Sequence, residues 1–207
     1  MEKIDFKKTM KPLFAPSAKK FELIDVPPLQ FLMIDGKGRP GAEPQTEYAQ
    51  ALAALYPMAY KLKFLSKKKL GRDYVVPPLQ ALWWADDMGV FISGDKDEWQ
   101  WTVMIMQPDW ISGDHVEEVR ATVAASGDLP ALQKLRLAAY EEGSAVQIMH
   151  IGPYSEEGPT LKELHEEYLP QNGLVENGHH HEIYLGDPRK TAPEKLKTVL
   201  RQPVRPK

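Results

Sequence analysis

The chain contains no cysteine. This absence excludes disulfide bonds, thiolate metal sites and a cysteine nucleophile, and it agrees with a reducing compartment. No apolar run approaches the ~20 residues that a membrane-spanning helix requires. The first residues, MEKIDFKKTMKPLF, lack the uninterrupted apolar segment of a secretory signal. We therefore expect a cytoplasmic protein that does not contact membranes.

Strong net charge is absent as well, because the formal charge is -3 over 207 residues. A chain with this small negative charge has no overall positive electrostatic field to attract phosphate backbones, so direct nucleic-acid binding is not expected. The segment GKGRPGAEP lacks both the dinucleotide spacing and the lysine-serine ending of phosphate loops. No GxSxG elbow supports Ser-His-Asp hydrolysis. Neither a cofactor nor a metal is predicted.

What the sequence does contain is an apolar fraction of 43%, which is enough for one compact domain or two small ones. Residues 1–20 are lysine-rich and carry two prolines, so a loosely attached arm is predicted there. Residues 21–207 then show the order strand, helix, strand, strand twice. The first copy spans about 21–110, the second about 142–205, and helices within 111–141 connect them.

The predicted elements can be given by their ranges. Strands are expected at 29–34, 79–84, 98–107, 145–151 and 179–185, and helices at 47–60, 114–125, from Pro130 onward and at 156–169, with a last amphipathic piece at 193–201. Pro57 should end or kink the first helix, Asp114 should cap the second, and Ser155 should cap the helix at 156. The fold class is α+β. Two pseudo-symmetric βαββ repeats form antiparallel sheet, with helices on one face and a ligand cleft on the other.

The two repeats align at their strands. QFLMIDG, from Gln30, lies over QIMHIGP, from Gln147, and LQALW, from Leu79, lies over HEIYL, from His181. This alignment makes Gln80 the pseudo-twofold counterpart of Glu182.

The strand HHHEIYLG carries the main candidate site. Because side chains alternate along a strand, His180, Glu182 and Tyr184 share one face and His181 the other, together with Ile183 and Leu185. The apolar pair suits the face under the helices, so Glu182 and Tyr184 should face the cleft. A carboxylate there is partly desolvated, which raises its pKa and suits a general base or a partner for a cation. The alternative from spacing alone is a solvent-facing glutamate on an edge strand.

Histidines and tryptophans supply two further clusters. His179, His180 and His181 are adjacent, but neighbouring strand residues point to opposite faces and cannot converge on one ion, so no metal site is predicted. Five tryptophans fall within 28 residues, at positions 83, 84, 99, 101 and 110. They are either core residues or the walls of a pocket for flat, apolar or cationic molecules.

In order along the chain, PPLQALWWADD, EWQWTVMIMQPDWI, EEGSAVQIMHIGPYSEEGPTLKELHEEYL, HHHEIYLGDPR and LKTVLRQPV closely resemble the GyrI-like small-molecule-binding domain family. The chain looks most like its stand-alone bacterial members, some of which are cyclopropanoid cyclopropyl hydrolases. The resemblance runs from about residue 20 to the end.

The resemblance implies roles for residues at the matching positions. Glu182 would be the acid-base group at the floor of an aromatic pocket, assisted by Tyr154 or Tyr184. Trp83, Trp84, Trp101, Gln80 and His180 would contact the ligand. Many members have LEGLWW where this chain has LQALWW, so Gln80 stands where those members have a glutamate. If catalysis required that glutamate as well as Glu182, this chain would lack one of the two acids.

The function that the resemblance implies is cofactor-independent hydrolysis of cyclopropanoid DNA-alkylating natural products, which would protect the cell. The alternatives are non-catalytic binding of hydrophobic or cationic small molecules, as a sponge or sensor, and inhibition of a DNA topoisomerase through protein contact. Transcription control is the least favoured, because no helix-turn-helix segment precedes residue 20. The expected partners are flat hydrophobic or cationic small molecules, and the expected state is a monomer or weak homodimer.

Overall fold

The computed structural model describes residues 2–86 and 96–207 and confirms the α+β class. The strands are β1 (Lys3–Ile4), β2 (Glu22–Val26), β3 (Leu29–Lys37), β4 (Asp73–Tyr74), β5 (Leu79–Trp84), β6 (Gln100–Gln107), β7 (Arg136–Tyr140), β8 (Gly143–Ile151), β9 (Leu174–Glu176), β10 (His180–Tyr184) and β11 (Lys197–Pro206). The α-helices are α1 (Phe6–Thr9), α2 (Lys11–Phe14), α3 (Glu47–Leu65), α4 (Gly113–Ala124), α5 (Gly158–Lys162) and α6 (Leu169–Gln171). Among the described residues, no helix is long and apolar enough to cross a bilayer.

The chain divides into two compact units. Unit 1 comprises the described residues of 1–9, 29–77 and 81–140, and unit 2 comprises residues 10–28, 78–80 and 141–207. Unit 1 contains β3, α3, β5 and β6 in chain order. Unit 2 contains β8, a helical segment, β10 and β11 in chain order. In each unit the first strand of the set pairs antiparallel with the last, which confirms two strand-helix-strand-strand repeats.

Unit 1 holds the strand order β5, β6, β3, β7, with α3 packed against β3 and β6. Helix α3 begins at the N-cap Thr46, whose hydroxyl accepts a hydrogen bond from the Ala49 amide. It continues to Leu65 through Pro57, where the sequence predicted an end or a kink. An internal proline costs about 3 kcal/mol, and burial of apolar side chains on both sides of it, such as Leu55 and Leu62, outweighs that cost.

A glycine allows the largest core side chain of unit 1 to fit. A Cβ built on Gly36 would lie 2.2 Å from Cη2 of Trp101, so only glycine leaves room for the indole ring. The Trp101 side chain is fully buried, and its Nε1 donates to the carbonyl of Gly38 at 3.1 Å. Trp101 is therefore a core residue whose polar atom is satisfied.

Unit 2 holds the strand order β2, β8, β11, β10, with β9 paired to the end of β11. Helices α5 and α6 are joined by a π-helical stretch, Glu163–Tyr168, and together they form the helical segment 158–171. Leu164 and Leu169 of this segment pack on Val146 and Val204.

The register fixes the sheet face that this segment covers. Val146 lies opposite Gln202, and Leu200 lies opposite Glu182. Residues paired across antiparallel strands, and residues two apart on one strand, share a face. Glu182 therefore lies on the helix-bearing face of unit 2. The sequence placed it on the opposite face, because two apolar neighbours were assigned to the helices.

The first twenty residues are not a loose arm. Leu13 and Phe14 of α2 are buried, with 6% and 4% of their surfaces exposed. The Pro12 carbonyl accepts a hydrogen bond from Gln147 Nε2 at 2.9 Å, and the Leu13 carbonyl accepts one from Arg201 at 2.6 Å. The prediction failed because two apolar residues and two backbone acceptors in a lysine-rich stretch are enough to dock it.

Two other elements differ from expectation, and the amphipathic piece expected at 193–201 is now assigned as a strand. Helix α4 is capped by Ser112 rather than Asp114, in a reciprocal capping box with His115. The helix expected from Pro130 is a five-residue 3₁₀ turn, Pro130–Lys134, and strand β7 follows it. The last amphipathic piece is strand β11, which pairs with β8 and β10. Strand pairing across long sequence separations decides these segments, and local periodicity does not report it.

Candidate functional site

Strand β10 has the alternation that the sequence predicted. His181 and Ile183 are each only 1% exposed, whereas His180, Glu182 and Tyr184 are half-buried on the other face. The strand pairs antiparallel with β11 over its whole length, so its backbone is fixed and its two faces present different chemistry.

Glu182 is recessed and held in place by its neighbours on this face. Its side chain is 14% exposed. The hydroxyl of Tyr184 donates to Glu182 Oε2 at 2.7 Å, and His180 Nε2 lies 3.5 Å from Oε1. Among the ion pairs of the described residues, His180 is the only basic group that approaches this carboxylate. The result is a positioned carboxylate that forms no ion pair with a lysine or arginine of the described residues.

A turn from the same unit lies over this group. The rings of Tyr154 and Tyr184 meet edge to face with centroids 5.6 Å apart. Tyr154 begins the 3₁₀ turn Tyr154–Glu156, and Glu157 follows it at the start of α5. The structure thus brings three predicted residues, Tyr154, Glu182 and Tyr184, into one cluster.

Glu157 is not among the site residues that the sequence predicted. It is 5% exposed, and its side chain makes no cap on α5; Ser155, the predicted cap, does not supply one either. Burial raises the pKa of the Glu157 carboxyl to about 9, the nearby Glu182 carboxylate adds to the rise, and Thr198 opposes it. A buried carboxyl of raised pKa therefore lies near Glu182. In the segment GPYSEEG, the sequence does not show whether Glu156 or Glu157 is the buried residue.

Gln80 is not brought to Glu182. Its Oε1 lies 2.9 Å from His181 Nε2, and His181 points to the face of β10 opposite Glu182. The other ring nitrogen, Nδ1, lies 2.8 Å from Glu142 Oε1. Position 80 therefore belongs to a buried polar network, and an amide there removes no acid from the Glu182 side of the strand.

That network includes a buried cation. Arg201 is 2% exposed, and it donates to Glu142 Oε2 at 3.1 Å and to Gln147 Oε1 at 3.0 Å. Burial raises the pKa of Glu142, but His181 and Arg201 outweigh it and bring the pKa to about 2. Burial lowers the pKa of His181 by more than Glu142 raises it. These groups fasten α2 to the sheet from the face opposite Glu182.

The predicted tryptophans lie in unit 1. Trp83 is 5% exposed, stacks on Tyr48 of α3 at 6.0 Å and meets Trp99 edge to face at 5.7 Å. Trp84 points to the other face of β5 and is half-buried. Trp101 is fully enclosed. Contact of a ligand with Trp83 and Trp84 stays a prediction, and a ligand could reach Trp101 only if the core rearranged.

The histidines of the described residues are engaged by other side chains or stand apart from further ligands. Within residues 2–86 and 96–207, no group of three or more histidine or carboxylate side chains is placed to hold a metal ion. His181 is occupied by Glu142 and Gln80, and His165 pairs with Glu176 at 2.7 Å.

Solved structures similar to this chain come from Listeria innocua. One is a conserved protein described as uncharacterized, with 41% identity, a TM-score of 0.89, and coverage of 98% of this chain and 100% of that one. Another is described as a hydrolase, with 40% identity, a TM-score of 0.82 and the same coverage. A third, a hydrolase encoded by lin2189, has 40% identity, a TM-score of 0.86, and coverage of 99% and 100%. A search of curated protein sequences found no match.

The model of the GyrI-like small molecule binding domain matches residues 19–205, nearly the whole chain. The protein belongs to the GyrI-like small molecule binding domain family.

Proposed function

We propose that the protein hydrolyses the strained cyclopropane ring of cyclopropanoid DNA-alkylating natural products and so detoxifies them. The observation that carries the proposal is the recessed Glu182 carboxylate, which Tyr184 positions and which no lysine or arginine within residues 2–86 and 96–207 pairs with. The likeness to hydrolases of Listeria innocua at 40% identity over the full length supports a hydrolytic reaction. The chemistry requires neither a metal nor a cofactor.

The proposed mechanism begins with water bound to Glu182. The carboxylate takes a proton from the water as its oxygen attacks the unsubstituted cyclopropane carbon. The strained carbon-carbon bond breaks, and its electron pair moves into the conjugated ring, so that the carbonyl oxygen becomes a phenolate. A proton on that oxygen gives the phenol. Because the electrophile is strained, general-base assistance of roughly 10²- to 10⁴-fold is a sufficient contribution from Glu182.

The test is mass spectrometry of a cyclopropyl-indolone alkylator incubated with wild type and with Glu182→Gln in ¹⁸O-labelled water. Wild type should yield the ring-opened alcohol carrying one ¹⁸O atom, and the variant should yield only the uncatalysed background. The exposed Glu163→Gln on the helical segment is the matched control and should retain turnover. Absence of wild-type turnover above background, or full turnover by Glu182→Gln, overturns the proposal.

A second candidate function is non-catalytic binding of hydrophobic cations. The same observation favours it, since an un-neutralised carboxylate beside the Tyr154 and Tyr184 rings can attract a lipophilic cation by charge and by cation-π contact. Calorimetric titration with rhodamine 6G distinguishes the two functions. Tight binding that Glu182→Gln abolishes, without turnover of any cyclopropanoid, supports the sponge or sensor. The monomer or weak homodimer and the cytoplasmic location stay predictions.

A further inference from the structure

Glu157 is a buried acid that the proposed mechanism has not used. It lies in unit 2 between the turn Tyr154–Glu156 and helix α5, with 5% of its surface exposed. Its Oε1 is shielded from solvent and has no hydrogen-bond partner within the part of the chain that the structure describes. The groups that act on its charge are Glu182 and Thr198, and neither is a cation. A carboxyl in this setting is costly to ionise.

The surroundings of Glu157 place it beside the proposed base. The Tyr154 ring rests edge-on against Tyr184, which orients the turn over β10. Thr198 of β11 lies directly opposite Tyr184. The titratable side chains around this turn are His180, Glu182 and Tyr184 on β10, His150 on β8, whose Nε2 is 3.2 Å from the Pro153 carbonyl, and Tyr154 and Glu156 on the turn itself.

The two carboxyls differ in environment. Glu182 accepts a hydrogen bond from the Tyr184 hydroxyl at 2.7 Å, and its side chain is 14% exposed. Oε1 of Glu157 accepts no hydrogen bond from the described residues. The negative charge of Glu182 also makes ionisation of Glu157 less favourable. Pairs of carboxyls whose environments differ in this way divide into an acid and a base in many hydrolytic enzymes.

We propose that Glu157 is a second catalytic residue, the general acid that protonates the oxygen released by ring opening while Glu182 acts as the base. This inference rests on the proposed function. It limits the substrates to strained electrophiles of one kind. In these, the electron pair of the broken ring bond moves through conjugation to a carbonyl oxygen, which Glu157 can then protonate.

The proton balance closes within the pair. Glu182 gains one proton from water, and the carboxylic acid of Glu157 gives one to the phenolate oxygen. The products are the alcohol and the phenol, formed from substrate and one water molecule. Transfer of one proton from Glu182 to Glu157, directly or through water, restores the starting state, so no other reagent is consumed.

The tyrosines are less suited to this role. The Tyr184 hydroxyl has one proton, and it is engaged by Glu182 at 2.7 Å. If Tyr184 gave this proton to the substrate, Glu182 would lose the hydrogen bond that positions it. Tyr154 is 39% exposed, so its hydroxyl is the alternative donor that the experiment must separate from Glu157.

The experiment compares Glu157→Gln, Tyr154→Phe and Glu156→Gln with wild type in turnover of a cyclopropyl-indolone alkylator from pH 5 to 10. Glu156 is exposed and adjacent, so its variant is the matched control and should stay within about twofold of wild type. Glu157→Gln should lose about 10²-fold in turnover. Wild-type turnover should fall as Glu157 deprotonates at alkaline pH, and the Glu157→Gln profile should lose that limb. Full activity in Glu157→Gln, or an unchanged alkaline limb, overturns the inference.

A second readout does not depend on turnover. A buried acid that stays protonated when folded makes the protein less stable as pH rises, because the unfolded chain releases that proton earlier. Glu157→Gln should therefore melt at a higher temperature than wild type at pH 8, with a smaller difference at pH 5, and Glu156→Gln should show no such pattern. If wild type melts no lower than Glu157→Gln at pH 8, the inference is overturned. If wild type turns over no cyclopropanoid while this melting pattern holds, the proposed function fails but the protonated Glu157 remains.

Discussion

The Tyr184 hydroxyl donates a 2.7 Å hydrogen bond to Oε2 of Glu182, two residues earlier on strand β10. Residues two apart on a strand share a face, so the short strand alone sets this contact. The rings of Tyr154 and Tyr184 meet edge to face with centroids 5.6 Å apart, so the turn that carries Tyr154 packs against the residue that donates to Glu182. The carboxylate of Glu182 is therefore oriented by its own strand and by the turn above it.

The first prediction concerns this hydrogen bond. Tyr184→Phe keeps the ring contact with Tyr154 but removes the donor to Glu182. A hydrogen bond to a charged group contributes about 1.5–3 kcal/mol. We therefore expect a fall in kcat/KM of about 10- to 100-fold, measured with a cyclopropyl-indolone alkylator.

The matched control is Tyr168→Phe. Tyr168 lies in the same unit on the helical segment, with its ring 4.9 Å from that of Phe21. Loss of its hydroxyl should leave kcat/KM unchanged. Equal losses in both variants would mean that the effect is one of unit 2 stability and not of Glu182 orientation.

The second prediction concerns position 80. Gln80→Glu places a carboxylate against Nε2 of His181, whose Nδ1 already faces Glu142. An imidazolium donates from both nitrogens, so the substitution should raise the pKa of His181, which burial now holds below its usual value. The ¹⁵N shifts of the ring, followed against pH, measure this directly.

Turnover of Gln80→Glu should stay close to that of wild type, because position 80 and Glu182 act on opposite faces of β10. Glu182→Gln is the control and should leave the His181 titration unchanged. A tenfold gain in turnover by Gln80→Glu would contradict the structure and restore position 80 as a partner of Glu182.

The fate of Gln80 shows which parts of the site the sequence can predict. Alternation within HHHEIYLG correctly separated His181 from Glu182, because that depends only on the strand period. The pairing of Gln80 with Glu182 depended on an alignment between repeats, and a shift of one residue exchanges the two faces of a strand. Trp83 stacks on α3, so Gln80 points away from the helix of its repeat, as His181 does in the other.

Other gaps have a similar cause. The sequence predicts the order of elements in the two repeats, because apolar segments and the residues that end them are recognisable within a few neighbouring positions. Strands β2 and β7 were missed because each is a short strand whose stability comes from pairing with β8 and β3, far away in sequence. The burial of Glu157 rather than Glu156 depends on how one turn lies over β10, which adjacent identical residues cannot reveal.

The third prediction is acid sensitivity from the buried network. Glu142 has a pKa of about 2 in the folded protein and about 4.5 when unfolded. Its contribution is therefore complete above pH 4.5 and is lost as pH falls toward 2; the difference corresponds to about 3 kcal/mol. The pKa of His181 is lowered on folding, so its contribution also declines as pH falls below 6.5. Urea denaturation from pH 7 to 3 should show both losses.

Glu142→Gln separates the two contributions. It should cost about 3–5 kcal/mol at pH 7, because Arg201 then remains buried without its counter-ion. The loss of stability between pH 4.5 and 3 should be smaller than in wild type. The exposed Glu163→Gln should behave as wild type throughout. A Glu142→Gln variant with unchanged stability at pH 7 would show that the network is not formed in solution.

The fourth prediction concerns α2, which lies in the stretch that the sequence described as loosely attached. Phe14 is 4% exposed, and the neighbouring Leu13 carbonyl accepts a hydrogen bond from Arg201. Truncation of a buried phenylalanine to alanine removes apolar burial and leaves a cavity, at a cost of about 3–5 kcal/mol. Phe14→Ala should lower Tm by roughly 10 °C in calorimetry, whereas the exposed Lys20→Ala should change it by less than about 2 °C. If both variants melt like wild type, α2 is not docked, and the Arg201 and Gln147 donors that it satisfies must find other partners.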